Sequence, residues 1–192
     1  RIVYSDTVMA MPETKIGIIP DVGIMHQLSR AGAVGRHIAL TSARFNGGDA
    51  LLLNLADESG DGVLEAPLFD PSQTWMEECY ASDDAVEIVR ALESHPDERA
   101  RAAGAELRAR SPFAVHVTLR ALIRAQRLNL GEVLDQDLRL AETVIPNGDF
   151  VEGVRALLDD KDNSPKWRWA TLEEVPMEAV DAAFAYRSSW KN

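Results

Sequence analysis

The sequence predicts an α/β chain, with a few β-strands at the front and α-helices over most of the remainder. Three observations carry that reading. Two short runs rich in β-branched and aromatic residues, Ile2-Val3-Tyr4 and Thr7-Val8-Met9, flank the turn signal Ser5-Asp6. From Ser82 onward, apolar residues recur at helical spacing rather than in alternation. The composition is that of an ordinary globular chain: 46% apolar, mean hydropathy −0.17, and 192 residues, enough for one sizeable core.

The front runs predict strand, turn, strand. Two such strands are unstable alone, so their sheet partners are expected from outside this chain. After Pro20-Asp21 the pattern turns helical through Met25, Leu28 and Ser29 and stops at Ala31-Gly32. Val34, His37, Ile38 and Thr41 mark a second helix. Arg44-Phe45-Asn46-Gly47-Gly48-Asp49 breaks the pattern before Ala50-Leu51-Leu52-Leu53. Glu58 to Trp75, with Ser59-Gly60-Asp61-Gly62 and then Pro67, Asp70, Pro71 and Ser72, reads as an irregular connection. It sets the boundary between a front region, residues 1–57, and a helical region, residues 58–192. Beyond it lie four apolar stripes: Ala85, Ile88, Val89, Leu92; Ala100, Ala103, Leu107; Val115, Leu119, Leu122; and Leu134, Leu138, Ala141, Ile145. Ser111-Pro112 is a helix start, and Asp149 with Glu152 and Thr171 with Glu174 have capping-box spacing.

The chemistry is expected in Met11 to Gly23. There Glu13 and Asp21 lie in a segment made largely of apolar residues, Gly and Pro. Removing a carboxylate from water raises its pKa, and a like charge nearby raises it further, so two such groups can divide acid and base roles. The residues alone leave a second reading open: Glu13 in the first turn of a helix begun at Pro12, and Asp21 as the cap of the next helix.

Other chemistries are disfavoured. A formal charge of −11 with no basic cluster argues against nucleic acid or an anionic membrane as partner. No apolar run approaches the roughly 18 residues of a membrane span. The single cysteine, Cys79, excludes an internal disulfide and reads as a small buried hydrophobe. His26 and His37 lack metal-ligand neighbours, so no metal site is expected. His116 shares spacing with Arg120 and Arg127, which puts it on a polar face. Phe45-Asn46-Gly47-Gly48 is not a phosphate loop.

Ala10-Met11-Pro12-Glu13-Thr14, Ile16-Gly17 and Pro20-Asp21-Val22-Gly23 together resemble the active-site segment of the 3-hydroxyisobutyryl-CoA hydrolase branch of the enoyl-CoA hydratase/isomerase (crotonase) superfamily. Asp149-Phe150-Val151-Glu152-Gly153-Val154-Arg155-Ala156, Asp160-Lys161-Asp162 and Pro165-Lys166-Trp167 resemble its C-terminal signature. Ser111-Pro112, Val117-Thr118-Leu119-Arg120 and Asp137-Leu138-Arg139-Leu140 also match. The chain departs from the pattern at Ile24, where the branch has a second Gly, and at Ser42, Asn54 and Glu58.

The resemblance implies an α/β crotonase (ClpP/crotonase-like) fold, of which this chain is the C-terminal part. It also implies an acyl-CoA thioester hydrolase acting on 3-hydroxyisobutyryl-CoA or a similar short branched acyl-CoA in valine catabolism. Glu13 and Asp21 would be its catalytic and substrate-binding residues, with no cofactor beyond the coenzyme A of the substrate. The alternatives are an enoyl-CoA hydratase/isomerase and a non-catalytic binding member. In the family the Pro-Glu-Thr segment lies mid-chain, so a missing N-terminal segment or a second chain is expected to supply the oxyanion-hole donors. The chain alone would then be inactive. A homo-oligomer is left open, and the expected location is cytoplasmic, with an organellar transit peptide also open.

Overall fold

The computed structural model describes residues 1–69 and 74–185. Asp70, Pro71 and Ser72 of the predicted connection therefore lie outside the described residues. The two front strands form, as β1 (Ile2–Val3) and β2 (Val8–Ala10), and Thr7 N–H closes the turn between them on the Tyr4 carbonyl at 3.0 Å. They do not pair with each other; each takes a partner from later in the chain, which the sequence did not show. β2 runs antiparallel to β3 (Arg44–Asn46), with Met9 opposite Phe45, and β1 runs parallel to β4 (Glu58–Ser59), with Val3 opposite Ser59. The reason is burial: Phe45 is fully enclosed, which carries β3 into the core beside β2.

Between these strands lie α1 (Ile24–Leu28), α2 (Gly32–Thr41) and α3 (Gly47–Leu52). The stretch read as a break before Ala50 holds β3 and then the start of α3. Asn46 and Asp49 form a reciprocal capping box, each side chain accepting the other's backbone N–H at 2.9 Å. Asp49 also accepts Phe69 N–H at 2.9 Å, which docks the connection onto this helix.

Helices then follow in series: α4 (Thr74–Cys79), α5 (Ala85–Ser94), α6 (Glu98–Arg108), α7 (Pro112–Ala125), α8 (Leu130–Val144), α9 (Asp149–Val154), a π-helical turn (Arg155–Asp159) and α10 (Met177–Ala185). The stripes predicted for α5, α6 and α7 are the buried ones. α7 is buried on nearly every side and serves as the helix the others pack around. Ser111 caps it through Ala114 N–H at 3.1 Å, with Pro112 in its first turn.

α8 is different. Leu134, Leu138 and Ile145 are exposed, and the buried face carries Val133, Gln136, Asp137, Leu140 and Val144. Two capping assignments also change. Gly148, not Asp149, precedes α9, and Asp149 is buried within the first turn. Thr171 makes no side-chain cap; Glu174 instead accepts Ala170 N–H at 3.0 Å. His116 is buried rather than on a polar face, its Nε2 3.0 Å from the Leu172 carbonyl oxygen. One cluster of buried apolar side chains takes in residues from Val3 to Ala183. No described helix is long and apolar enough to cross a membrane.

Candidate active site

β2 delivers the chain into a 3-10 turn, Glu13–Ile16, that begins with one of the two candidate carboxylates. Gly17 closes the turn at φ +80°, a conformation that L side chains rarely adopt, and Ile18 N–H donates to the Glu13 carbonyl at 3.0 Å. Thr14, fully buried, ties the turn to the end of α2: its hydroxyl donates to the Leu40 carbonyl at 3.2 Å and lies 3.0 Å from the Ser42 hydroxyl. The Thr14 carbonyl accepts Ser111 N–H at 3.1 Å.

The C-terminal signature forms the other wall. A Cβ at Gly17 would come within 2.5 Å of the Asp149 backbone, and a Cβ at Gly153 within 2.4 Å of the Ile16 carbonyl oxygen. The two segments thus touch backbone to backbone. Asp149 holds them there, accepting the Ser111 hydroxyl at 2.6 Å and Arg168 N–H at 2.8 Å. Glu152 accepts both Arg155 (2.8 and 2.9 Å) and Lys166 N–H (2.6 Å), which brings its carboxyl down to about 2. Arg155 in turn grips Asp160 and Asp162 at 2.6 and 2.8 Å. Trp169 packs on Phe113, ring centroids 5.4 Å apart. These signature residues build the scaffold around the turn.

Glu13 is partly buried, and its Oε2 is buried without a hydrogen-bond partner among the described residues. Burial pushes its pKa up, its own backbone N–H partly opposes the shift, and the charge of Asp21 raises it further. The turn thus follows Pro12 with Glu13 in its first turn, as the second reading of the sequence has it. Asp21, by contrast, does not cap α1. The N-cap is Gly23, at φ +86° with no side-chain bond, and Asp21 contributes only its backbone carbonyl, to Ile24 N–H at 3.2 Å.

A third carboxylate stands near Asp21. Asp137, from the buried face of α8, accepts Gly23 N–H at 2.8 Å. Burial pushes its carboxyl up to about 6, against the lowering effect of the Gly23 hydrogen bond, and Asp21's charge adds to the rise. The sequence offered one signal for it that the leucine stripe obscured: Val133, Asp137, Leu140 and Val144 share helical spacing, with a lone acid on the apolar face.

A cavity of about 530 Å³ lies on the Lys15 side of the turn, where Ser42, Arg44, Phe69, Trp75 and Arg110 line it, and neither Glu13 nor Asp21 is in its wall. His37, also at this wall, is enclosed by Phe69, Trp75 and Tyr80, with Nδ1 2.8 Å from the Tyr80 hydroxyl. Cys79 is free and buried. Among the described residues no group of three or more His, Cys, Asp or Glu side chains is placed to hold a metal ion.

A family model described as enoyl-CoA hydratase/isomerase matches residues 1–62 and 58–184. The chain is 32% identical to the mitochondrial 3-hydroxyisobutyryl-CoA hydrolase of Gallus gallus over 220 aligned positions, covering 96% of this chain and 57% of that protein. It is 31% identical to the probable 3-hydroxyisobutyryl-CoA hydrolase 2 of Arabidopsis thaliana, covering 96% and 59%. Among solved structures, a carnitinyl-CoA dehydratase from Mycobacterium thermoresistibile superposes with a TM-score of 0.87 at 38% identity, covering 98% of this chain and 62% of that one. The chain spans about three fifths of the length of these proteins. The chicken alignment runs over more positions, 220, than the 192 residues present, and the family match breaks at 58–62, inside the irregular connection. A match over nearly the whole chain, together with the shared architecture, places the chain in the enoyl-CoA hydratase/isomerase family, with the crotonase fold.

Proposed function

We propose that the intact protein is an acyl-CoA thioester hydrolase acting on 3-hydroxyisobutyryl-CoA or a similar short branched acyl-CoA. The observation that carries this reading is the pairing of a partly buried Glu13, one oxygen unpartnered, with the nearby charge of Asp21. A carboxylate so placed can attack the thioester carbonyl to give a transient anhydride, or take a proton from the attacking water. Either way water is added, the C–S bond breaks, and the thiol of coenzyme A leaves with a proton. Asp21 is proposed to hold the substrate's 3-hydroxyl or the water. The tetrahedral oxyanion needs backbone N–H donors, each commonly worth a few kcal/mol, and we propose that these come from residues outside the present chain. On this reading the reaction uses no cofactor beyond the coenzyme A of its substrate, and it runs in the cytoplasm or, like that of the mitochondrial relatives, in an organelle.

A second reading, hydration or isomerisation of an enoyl-CoA, is favoured by the 38% identity to the carnitinyl-CoA dehydratase structure, dehydration to an enoyl thioester being the reverse of hydration. One experiment separates the two. Intact protein is incubated with 3-hydroxyisobutyryl-CoA and with crotonyl-CoA, following free thiol in the first and loss of the enoyl absorbance in the second. Thiol release that disappears in Glu13→Gln, with thioester binding kept within about tenfold, supports the hydrolase. Loss of enoyl absorbance without thiol release replaces it with the hydratase.

A further inference from the structure

We propose that Asp137 is a positioning residue for the candidate site: by holding the Gly23 N–H it fixes the Pro20–Gly23 turn, and through it the place of Asp21. The inference rests on the hydrolase reading only in the kinetic half of its test.

The turn needs holding. Val22 sits at φ +51° and Gly23 at φ +86°, two successive residues in left-handed conformations, and Val22 is a β-branched residue that strongly disfavours that region. Val22 is also 82% exposed, so its own side chain anchors nothing. The anchor comes from α8. Leu130 and Leu134 close on Gly23 so tightly that a Cβ there would meet Leu130 at 2.9 Å, and Asp137 takes the Gly23 N–H at 2.8 Å. Asp21 lies two residues before that hydrogen bond and near enough to Asp137 for the two charges to interact.

A packing role alone does not account for this carboxylate. Asp137 is only 3% exposed, and its Oδ1 is buried with no partner among the described residues. An apolar residue on the same face would avoid the desolvation of a charge, the unpaired oxygen and the repulsion from Asp21. What such a residue lacks is an acceptor for Gly23 N–H. That hydrogen bond is therefore the feature the arrangement preserves.

The test uses Asp137→Ala and Asp137→Asn in the intact protein, the second retaining an acceptor oxygen. Two readouts are taken: kcat and KM for thiol release, and the hydrogen-exchange rate of the Gly23 amide without substrate. The expected result is that Ala lowers kcat at least tenfold with KM within about threefold and speeds Gly23 exchange at least tenfold, while Asn stays within about threefold of the parent in both. If Ala does not fold, Asn carries the test: a kcat more than tenfold below the parent in a folded Asn variant overturns the proposal. Parent-like Gly23 exchange in a folded Ala variant overturns it as well. Absence of thiol release from the parent protein would count against the hydrolase reading alone, because Gly23 exchange still decides the role of Asp137.

Discussion

Asp137 and His37 give the protein opposite responses to acid. In the fold the Asp137 carboxyl stays protonated up to about 6 rather than its ordinary 3.8, so between those values the folded chain binds a proton that the unfolded chain has released. Its contribution to stability is complete below about pH 4 and is lost as pH rises through 6, an effect on the order of 2 to 3 kcal/mol. His37, enclosed by aromatic rings, is lowered by burial from 6.5 to about 4, so its contribution is complete above 6.5 and is lost as pH falls toward 4, by about 3 kcal/mol. In Asp137→Asn, the stability difference from the parent in urea titrations should grow by about 2 kcal/mol between pH 4 and pH 7, in the variant's favour. A difference that does not change with pH would mean that the carboxyl titrates where an ordinary aspartate does. Glu13 makes a kinetic prediction of the same kind. Its pKa is raised by burial and by Asp21, so as nucleophile or base it should lose activity on acidification at a higher pH than an unperturbed glutamate, near 4.3, would. An acid limb of kcat/KM at or below that value would remove Glu13 from the role.

Among the elements, the contact between the Glu13 turn and α9 leaves no room for added volume. Gly153→Ala would place a Cβ 2.4 Å from the Ile16 carbonyl oxygen, with backbone on both sides and no flexible side chain to yield, and should cost about 3 kcal/mol. Gly131→Ala in α8 is the contrast: its nearest neighbour is the Asn129 side-chain oxygen at 3.3 Å, and the effect should stay within about 1 kcal/mol. Equal losses at the two sites, by thermal or urea unfolding, would contradict this account. The same elements show what the sequence could and could not disclose. α5, α6 and α7 follow their apolar stripes because each buries one face against its neighbours, and Ser111-Pro112 announces its helix through local capping alone. α8 defeats that logic: Leu134 and Leu138 look like its core face, yet Asp137 is turned inward because a backbone N–H 114 positions earlier donates to it. Asn46 and Asp49 were hidden for a local reason, since Gly47-Gly48 reads as a break while a Cβ at Gly48 would strike the Glu65 carbonyl at 2.5 Å. Glu13 and Asp21 were legible as a pair through the family resemblance of Met11 to Gly23, since their spacing in an apolar segment left the capping reading open; Asp137, near Asp21, depends on a tertiary contact that no window of sequence contains.

On the scale of the molecule, one apolar cluster runs from Val3 to Ala183 and draws on strands and helices alike. Unfolding in denaturant should accordingly give a single transition, with far-UV circular dichroism and tryptophan fluorescence coincident; two separated midpoints would show that the front of the chain and the helices melt apart. The long reach of the contacts around Glu13 also sets an order in time. The turn that carries Glu13 leaves the ribosome more than a hundred residues before Asp137, Asp149 and Gly153, the groups that hold Gly23 and close over Ile16 and Gly17. During synthesis the site therefore emerges well before the groups that set it. A nascent chain stalled short of α8 should leave both carboxylates in water and the strained Val22-Gly23 turn free to relax, and a ribosome-bound series of increasing length should show Gly23 protected only once α8 has cleared the exit tunnel.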